Sequence, residues 1–355
     1  MTPLTKILRE KIEKHGPLSV HDYMEMALSH PEYGYYTRQN PFGKSGDFVT
    51  APEVSQMFGE LIGLWSLDIW SKLGAPAKFN LVELGPGNGT LMVDALRSGA
   101  LIPDFIKAAH VHLIETSEQL KARQKAAISH PSVFWHSDLL DLDTDPTIVI
   151  ANEFFDALPI HQYESIAGQW FERCIDWEEG HFTFSLSDKP AKELQPPPDT
   201  EGSHILEICP LGINSFNKAC RLLQKSGGAV LIIDYGSSEA VYGDSFQAVR
   251  DHASQNPLED PGLSDLTAHV KFPQLIEEAQ RYPVDIHGPT SQGRFLERLG
   301  IETRAALLSR SATKEQQNSI ASDLRRLTST SEMGTLFKVL AISCNLTAPP
   351  EGFGP

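Results

Sequence analysis

The chain has 355 residues, of which 41% are hydrophobic and 21% are charged. This composition predicts a globular protein with a sizeable core, and the length is enough for two domains. Forty-six acidic residues against 30 basic ones give a formal charge of −16, which argues against nucleic acid as a partner because a phosphate backbone would be repelled.

The N-terminal part of the chain is predicted to be helical. Helices are expected over residues 4–14 and 19–29, with Ser19 as the cap of the second. Residues 50–53 (Thr-Ala-Pro-Glu) match a capping box with Pro52 in the first turn, and apolar residues follow at helical spacing. We therefore expect residues 1–50 to form a helical cover and a core to begin at residue 51.

Strands and helices alternate in the next part of the chain. Helices are predicted at 89–98, 117–128 and 211–225, and they separate apolar strands predicted at 78–84, 111–114, 133–135, 147–151 and 229–234. Such alternation predicts a mostly parallel, doubly wound sheet with helices on both faces. We assign residues 51–236 to this α/β core.

Two insertions and a C-terminal return to the core are also predicted. A β-hairpin that turns at Glu179 and Gly180 lies in the first insertion, 170–203. Residues 237–290 are interrupted by glycine and proline and are expected to form a second insertion, a substrate lobe. Residues 291–347 are predicted to supply helices and a last core strand, and residues 348–355 a disordered tail.

A glycine-rich loop follows the first strand of the predicted sheet. Gly85, Gly87 and Gly89 alternate with other residues, and Glu83 lies two positions before them. Glycines let a ligand lie against the backbone, and the next helix offers free N–H groups. A dinucleotide site, as in an NAD-dependent oxidoreductase, would require glycine where the chain has Thr90. The observed spacing resembles that of class I methyltransferases, which bind S-adenosylmethionine (AdoMet).

Acidic residues follow the next two strands. Glu115 can hold two ribose hydroxyls with its two carboxylate oxygens, and Asp138, beside Leu139, can accept a hydrogen bond from an adenine amino group. Ligands of doubly wound sheets bind at the carboxyl ends of the strands, where these residues lie. The alternatives are a surface acid at position 115 and a turn or capping aspartate at position 138.

Residues 151–161 follow the fourth strand and offer groups that suit a methyl acceptor. Asn152, Glu153 and Asp156 lie there with two phenylalanines. Paired carboxylates beside aromatic rings suit a guanidinium, which must keep its charge on one nitrogen while another attacks. The alternative is that Asp156 caps a helix and Glu153 contacts only the cofactor. His161 and His269 are candidates to take the departing proton, although a lone histidine is more often structural.

Several long motifs together resemble the MidA-type family of class I methyltransferases, whose mitochondrial members are complex I assembly factors that dimethylate an arginine symmetrically. The resemblance covers residues from about 4 to 343 and rests on residues 46–60, 83–90, 152–159, 233–236, 265–270 and 334–339. It implies a class I methyltransferase fold with a seven-stranded sheet and AdoMet as the cofactor. It also implies that Thr50 and Pro52 lie over AdoMet and that Glu83, Leu139 and Asn152 line its site.

The resemblance implies an enzyme that methylates an arginine on a protein, with a complex I core subunit as the candidate partner. A non-catalytic, AdoMet-binding assembly factor is the rival hypothesis. The four cysteines show no metal-ligand spacing, so we expect reduced cysteines and no metal site. The longest apolar run, residues 229–233, is too short to span a bilayer.

We find no signal or transit peptide, which predicts the bacterial cytoplasm or, for a processed eukaryotic form, the mitochondrial matrix. The oligomeric state stays open, and a homodimer is one option.

Overall fold

The computed structural model describes residues 1–38, 50–139, 142, 144–195, 204–239, 242–250 and 252–354. The chain divides into two compact units. Unit 1 comprises Met1–Phe48, Asp156–Ile213 and Ala240–His269, and unit 2 comprises Val49–Phe155, Asn214–Glu239 and Val270–Pro355. Residues 46–49, the first four of the motif at 46–60, and residues 196–198, three prolines in the predicted first insertion, lie outside the described part. Across that part, no helix is long and apolar enough to cross a membrane.

The described helices, in chain order, are α1 (Pro3–His15), α2 (Val20–Ser29), α3 (Tyr35–Arg38), α4 (Ala51–Val54), α5 (Gln56–Lys72), α6 (Thr90–Gly99), α7 (Pro103–Ala108), α8 (Glu118–Ala127), α9 (Pro210–Ser226), α10 (Phe272–Ala279), α11 (Gln292–Arg298), α12 (Ile301–Ser309), α13 (Lys314–Thr328) and α14 (Met333–Leu336).

The described strands, in chain order, are β1 (Leu18–Ser19), β2 (Phe79–Leu84), β3 (Ala109–Ile114), β4 (Val133–His136), β5 (Thr147–Asn152), β6 (His161–Ile166), β7 (Gln169–Glu178), β8 (His181–Pro190), β9 (Ile205–Ile208), β10 (Gly228–Ser237), β11 (Gln247–Arg250), β12 (Ala253–Gln255), β13 (Asp265–Thr267), β14 (Val270–Lys271), β15 (Asp285–Ser291) and β16 (Phe337–Cys344).

Unit 2 contains a doubly wound, mostly parallel sheet. Its strand order is β15-β16-β10-β5-β2-β3-β4, and the two-residue strand β14 pairs with β10. The strands β4, β3, β2, β5 and β10 run parallel, whereas β16 is antiparallel to both of its neighbours. Residues of β2 and β5 are buried throughout, as both faces of a parallel sheet require. The predicted seven-stranded sheet is therefore confirmed, since the strand order above contains seven strands in the described residues.

The crossover order fixes where a ligand can bind. From β2 the chain proceeds to β3 and β4 on one side and then returns to β5 on the other side of β2. This reversal is the topological switch point, and the crevice outside the carboxyl ends of the strands there is the usual ligand site of such sheets. The loops that follow β2 and β5 both begin at this edge.

Unit 1 gathers segments that are distant in sequence. The strand order β1-β7-β6-β9 with β8 beside β7 forms one sheet, and β12-β11-β13 forms another. The hairpin β7–β8 turns at Glu179 and Gly180, as expected, and both residues have positive φ. Short β1 pairs with β7 through Leu18 and Ile175, which joins the N-terminal helices to the first insertion. Ser19 caps α2 by accepting from the Asp22 N–H, as its sequence position predicts.

Three boundaries differ from the sequence-based expectation. The first insertion is longer than the predicted 170–203, because Asp156–Ile213 belongs to unit 1 and strand β6 pairs with β7 and β9. The stretch 237–290 does not stay in one lobe, because β14, α10 and β15 belong to unit 2 and β15 is a core strand. Gly288 and Pro289 interrupt its pairing with β16 by a register shift, which hid the strand from periodicity. The expectation of a disordered tail after residue 347 is also wrong, since Phe353 packs 5.3 Å from Phe295 between ring centroids.

Candidate functional site

The glycine loop joins β2 to α6 at the switch point. Gly85, Gly87 and Gly89 all have positive φ, from 53° to 82°, which is the region that favours glycine. Gly89 is the N-cap residue of α6, so no side chain caps the N–H groups at this helix end. A Cβ added at Gly85 would lie 2.9 Å from Cδ2 of Phe154. The loop is therefore open to a ligand on its backbone and closely covered by Phe154 on one side.

Two buried acceptor atoms near this loop have no hydrogen-bond partner among the described residues. They are Oε2 of Glu83 on β2 and Oδ1 of Asn152 at the end of the adjacent strand β5. The side chain of Glu83 is only 3% exposed, and burial raises its pKa to about 8. A buried polar atom without a partner is normally satisfied by a ligand or by water. A ligand with ammonium or hydroxyl hydrogens can supply donors to these two oxygens.

The start of α4 is fixed differently from the expected capping box. The Thr50 side chain makes no cap hydrogen bond, and the extended backbone of Ser55 separates α4 from α5. The Glu53 carboxylate instead accepts from Oγ1 of Thr90 at 2.7 Å and Nδ2 of Asn88 at 3.3 Å. Glu53 thus ties α4 to the glycine loop, while Thr50 and Pro52 begin the same short helix.

Gln124 connects the glycine loop to the end of β3. Its Nε2 donates to the Gly87 carbonyl at 2.8 Å and to Oε2 of Glu115 at 3.3 Å, and its Oε1 accepts from Trp135 at 2.9 Å. The side chain of Gln124 has no solvent exposure. Sequence reasoning missed this residue, because nothing in the sequence distinguishes it from Gln119 of the same predicted helix.

Glu115 and Asp138 lie after β3 and β4, as the strand pattern predicts, and both already have partners. One oxygen of Glu115 accepts from the Thr116 and Ser117 backbone N–H groups at 2.8 Å. Burial raises the pKa of this carboxyl, and the hydrogen bonds oppose that shift. Asp138 forms an ion pair with Lys218 of α9, and the neighbouring Leu139 is buried. Any contact of Asp138 with an adenine therefore has to share the carboxylate with Lys218.

Glu153 stands at a left-handed backbone position directly after β5. Its φ is +50°, and its backbone N–H donates to Ile233 O at 2.9 Å. Its Oε1 accepts from the Ala51 N–H at 2.8 Å and from Nδ2 of Asn152 at 3.1 Å, whereas Oε2 accepts no hydrogen bond from the described residues. Burial raises the pKa of the carboxyl, and the two hydrogen bonds and the charge of Arg326 oppose that shift. One oxygen is thus anchored, and the other accepts no hydrogen bond from the described residues.

Asp234, at the end of β10, fixes the backbone that follows Glu153. Its Oδ2 accepts from the Phe154 and Phe155 N–H groups at 3.2 and 2.8 Å, and Oδ1 accepts from Tyr235 N at 2.9 Å. The residue has no solvent exposure, and burial is the main cause that raises its pKa. The motif at residues 233–236 marked this aspartate, but its sequence position alone gave it no role.

The other expected catalytic residues are in unit 1, whereas Glu153 is in unit 2. They are Asp156, His161 and His269. The Asp156 carbonyl accepts from Ala268 N at 2.9 Å, which brings Asp156 beside the 265–269 segment. The His269 backbone N–H donates to Oγ of Ser245 at 2.9 Å. His161 follows a different pattern: its Nδ1 lies 2.6 Å from Oε1 of Glu172 on the neighbouring strand.

Comparison with known proteins identifies the family of the chain. Residues 61–290 match a family described as S-adenosyl-L-methionine-dependent methyltransferase. The chain is 37% identical to the mitochondrial protein arginine methyltransferase NDUFAF7 homolog of Drosophila melanogaster, with 96% of this chain and 84% of that protein aligned. It is 32% identical to the human NDUFAF7 protein, with 96% and 83% aligned.

The chain belongs to this methyltransferase family. A Burkholderia thailandensis protein of related fold, crystallised with S-adenosyl-homocysteine, superposes with a TM-score of 0.83 at 25% identity and covers 99% of this chain and 94% of its own. A native crystal structure from the same organism gives a TM-score of 0.82 at 27% identity with the same coverage. The class I methyltransferase fold and AdoMet as cofactor, both expected from the sequence, are confirmed, and the oxidoreductase alternative is not supported.

Proposed function

We propose that this methyltransferase transfers the methyl group of AdoMet to an arginine side chain of a protein. The observation that supports this best is the half-anchored carboxylate of Glu153, with Oε1 held by Ala51 and Asn152 and Oε2 available. Because Oε1 is held, the direction of Oε2 is fixed. An oxygen of fixed direction suits a guanidinium, since charge-assisted hydrogen bonds to arginine are strong and directional. The names of the Drosophila and human relatives point to the same acceptor class.

The cofactor would be held by residues of unit 2. We assign the amino-acid end of AdoMet to the loop of Gly85, Gly87 and Gly89, where Glu83 and Asn152 supply acceptors that lack partners in the described residues. Glu115 would hold the ribose hydroxyls. When bound, AdoMet supplies an electrophilic methyl group.

Three further cofactor contacts remain proposals: Asp138 and Leu139 at the adenine, and the α4 start with Thr50 and Pro52 as a cover. The sequence places these residues at strand ends or at a helix start. A ligand-bound structure of this chain would test them directly.

Glu153 would orient the acceptor and take its proton. Its Oε2 would bind one guanidinium nitrogen and hold the positive charge there, so that another nitrogen keeps the lone pair that attacks the methyl carbon. As the C–N bond forms and the C–S bond breaks, the attacking nitrogen loses a proton. A carboxyl whose pKa is raised by burial is a suitable acceptor for that proton. Asp156, His161 and His269 of unit 1 remain catalytic candidates on the basis of the sequence.

The partner is proposed to be a protein with a basic segment, and a respiratory complex I subunit is the leading candidate. The formal charge of −16 favours encounter with such a segment. We propose symmetric dimethylation, with the mitochondrial matrix as the location in a eukaryotic source and the cytoplasm in a bacterial one. The relatives named above are mitochondrial, which is the only location that they support.

A labelling experiment tests the proposal. Extract from a strain that lacks this gene is incubated with the purified chain and methyl-labelled AdoMet, and protein arginines are analysed by mass spectrometry. We expect symmetric dimethylarginine on a protein, and a rate that falls as salt is raised because charge steering is screened. Glu153→Gln should lower kcat by about 100-fold or more.

The matched control is Glu297→Gln, which removes one exposed carboxylate of unit 2 and should leave the rate unchanged. Label on tRNA or on small molecules instead of protein would refute the acceptor assignment. A Glu153→Gln variant with the wild-type rate would refute the role of Glu153.

A further inference from the structure

The side chain of Asp234 is enclosed by the backbone of the segment that carries Glu153. Both of its oxygens are used: Oδ2 accepts two successive N–H groups, of Phe154 and Phe155, and Oδ1 accepts the N–H of Tyr235. A carboxylate that accepts three backbone N–H groups defines the path of the chain around it. Asp234 thereby fixes the direction of the backbone immediately after Glu153.

Glu153 needs such support because of its backbone conformation. A residue with a side chain adopts a φ of +50° only where its surroundings impose it. From the N-terminal side, the pairing of β5 with β10 and the Glu153 N–H bond to Ile233 O provide one constraint. From the C-terminal side, the bonds of Asp234 to residues 154 and 155 provide the other. The side chain of Glu153 then points its Oε1 at the Ala51 N–H.

We infer that Asp234 is a positioning residue that acts through Glu153: it holds the left-handed turn, and the turn aims the Glu153 carboxylate. The inference rests on the proposed function for the chemistry of Glu153, but the geometric link between residues 234, 153 and 51 is independent of the acceptor. Phe154, whose N–H is bound by Asp234, also packs against Gly85 of the cofactor loop. The same aspartate therefore joins the acceptor side of the site to the cofactor side.

The test compares the full-length chain with its Asp234→Asn variant. An amide retains one accepting oxygen but presents N–H hydrogens to the backbone donors that the second oxygen served, so the turn should shift. We expect native-state hydrogen exchange at Ala51 to become about tenfold faster or more, because its N–H loses the Glu153 carboxylate. We also expect kcat to fall more strongly than the KM for AdoMet rises.

Three further variants make the result specific. Glu153→Ala should accelerate exchange at Ala51 to a similar degree, which verifies that this amide reports on the Glu153 contact. Glu60→Gln is the matched control, since Glu60 is a buried carboxylate of unit 2 that accepts from Arg97 and Arg304. It should lower thermal stability and leave the protection of Ala51 unchanged. If Asp234→Asn does not fold, Asp234→Glu is measured in its place.

Each outcome separates the two proposals. Exchange at Ala51 within about twofold of wild type in the folded Asp234 variant would overturn the positioning role. Accelerated exchange together with no arginine methylation by the wild-type chain would refute the proposed function and leave the positioning role intact. Equal acceleration in Glu60→Gln would show that Ala51 reports only general destabilisation and would also overturn the inference.

Discussion

Glu83 is an ionisable side chain in a buried position, where the charged form is unfavourable. Its carboxyl is 3% exposed, its Oε2 has no partner among the described residues, and the pKa is raised to about 8. A buried acid without a counter-charge holds its proton more tightly than an exposed one. A cationic ligand beside it would favour the ionised form. Binding of AdoMet, which carries positive charge, should therefore release a proton from Glu83 near neutral pH.

The same shift predicts how stability depends on pH. The folded protein holds the Glu83 proton more tightly than the unfolded chain, where the group has its ordinary pKa of 4.5. The stabilisation that the protonated Glu83 carboxyl gives the folded protein is therefore complete below pH 4.5 and is lost as pH rises towards 8. Without AdoMet, the unfolding free energy of wild type should fall relative to Glu83→Gln in this window, by up to about 1 kcal/mol per pH unit.

Urea unfolding at several pH values measures this difference. Glu297→Gln, which removes an exposed acid, should follow the wild-type curve. Parallel curves for wild type and Glu83→Gln across the window would show that Glu83 keeps an ordinary pKa in the folded protein.

Residue types and strand ends predicted where the proposed cofactor residues lie relative to the strands, but not which side chains contact them. Glu83 and Glu115 lie where the alternation of strands and helices places them. The contacts of Asp234 with residues 154 and 155 depend on β10 lying beside β5, a pairing across about 80 residues that local patterns do not contain. The interaction of Asp138 with Lys218 was hidden for the same reason.

At the level of elements, α8 does more than cover the sheet. Its buried Gln124 bonds to the Gly87 carbonyl, to Glu115 and to Trp135, so one side chain connects three successive strand ends. Gln124→Met keeps the side-chain volume but removes these bonds and leaves buried groups unpaired. We expect the Kd for AdoMet to rise by at least about tenfold, since each lost bond is worth about 1 kcal/mol.

Calorimetric titration of the variant with AdoMet makes this measurement. Glu118→Gln, an exposed substitution on the same helix, is the control and should bind as wild type does. An unchanged Kd for Gln124→Met would mean that the glycine loop holds its shape without α8.

Elements were predictable where their pattern is local and strong. The helices α1 and α2, the parallel strands and the hairpin β7–β8 follow their periodicity and turn residues. The break between α4 and α5 was not predicted, because Glu53 bonds to Thr90 and Asn88 instead of to its own helix start. Strand β15 escaped notice because Gly288 and Pro289 interrupt it.

On the scale of the whole molecule, the two units are interleaved in sequence. Each is built from three separate stretches, so the chain passes from one unit to the other five times. Neither unit corresponds to a single contiguous fragment. Deletion studies should therefore start from the full chain and remove only segments whose contacts are known.

The C-terminal tail is such a segment, and its removal gives a prediction. Nζ of Lys72 donates to the Pro349 carbonyl at 2.7 Å, and Phe353 packs on Phe295 of α11. Deletion of residues 348–355 should lower the Tm by several degrees, about the effect of 1–2 kcal/mol in a chain of this size, because the tail covers apolar residues of unit 2. AdoMet affinity should stay within about twofold, since no residue of the proposed cofactor site belongs to the tail.

Thermal unfolding followed by circular dichroism provides the measurement, with deletion of residues 354–355 alone as the control. An unchanged Tm for the longer deletion would indicate that the tail contributes no net stability.

The position of β16 has a consequence for protein synthesis. It occupies the middle of the sheet, between β10 and β15, yet it follows β10 by about 100 residues in the chain. A ribosome that adds about 5–20 residues per second needs about 5–20 s to bridge that gap. Throughout this interval the edge of β10 that β16 covers in the folded protein lacks that strand, and an unpaired strand edge favours association between chains. We therefore expect the soluble fraction of newly made protein to depend on how fast its messenger RNA is translated between these two strands.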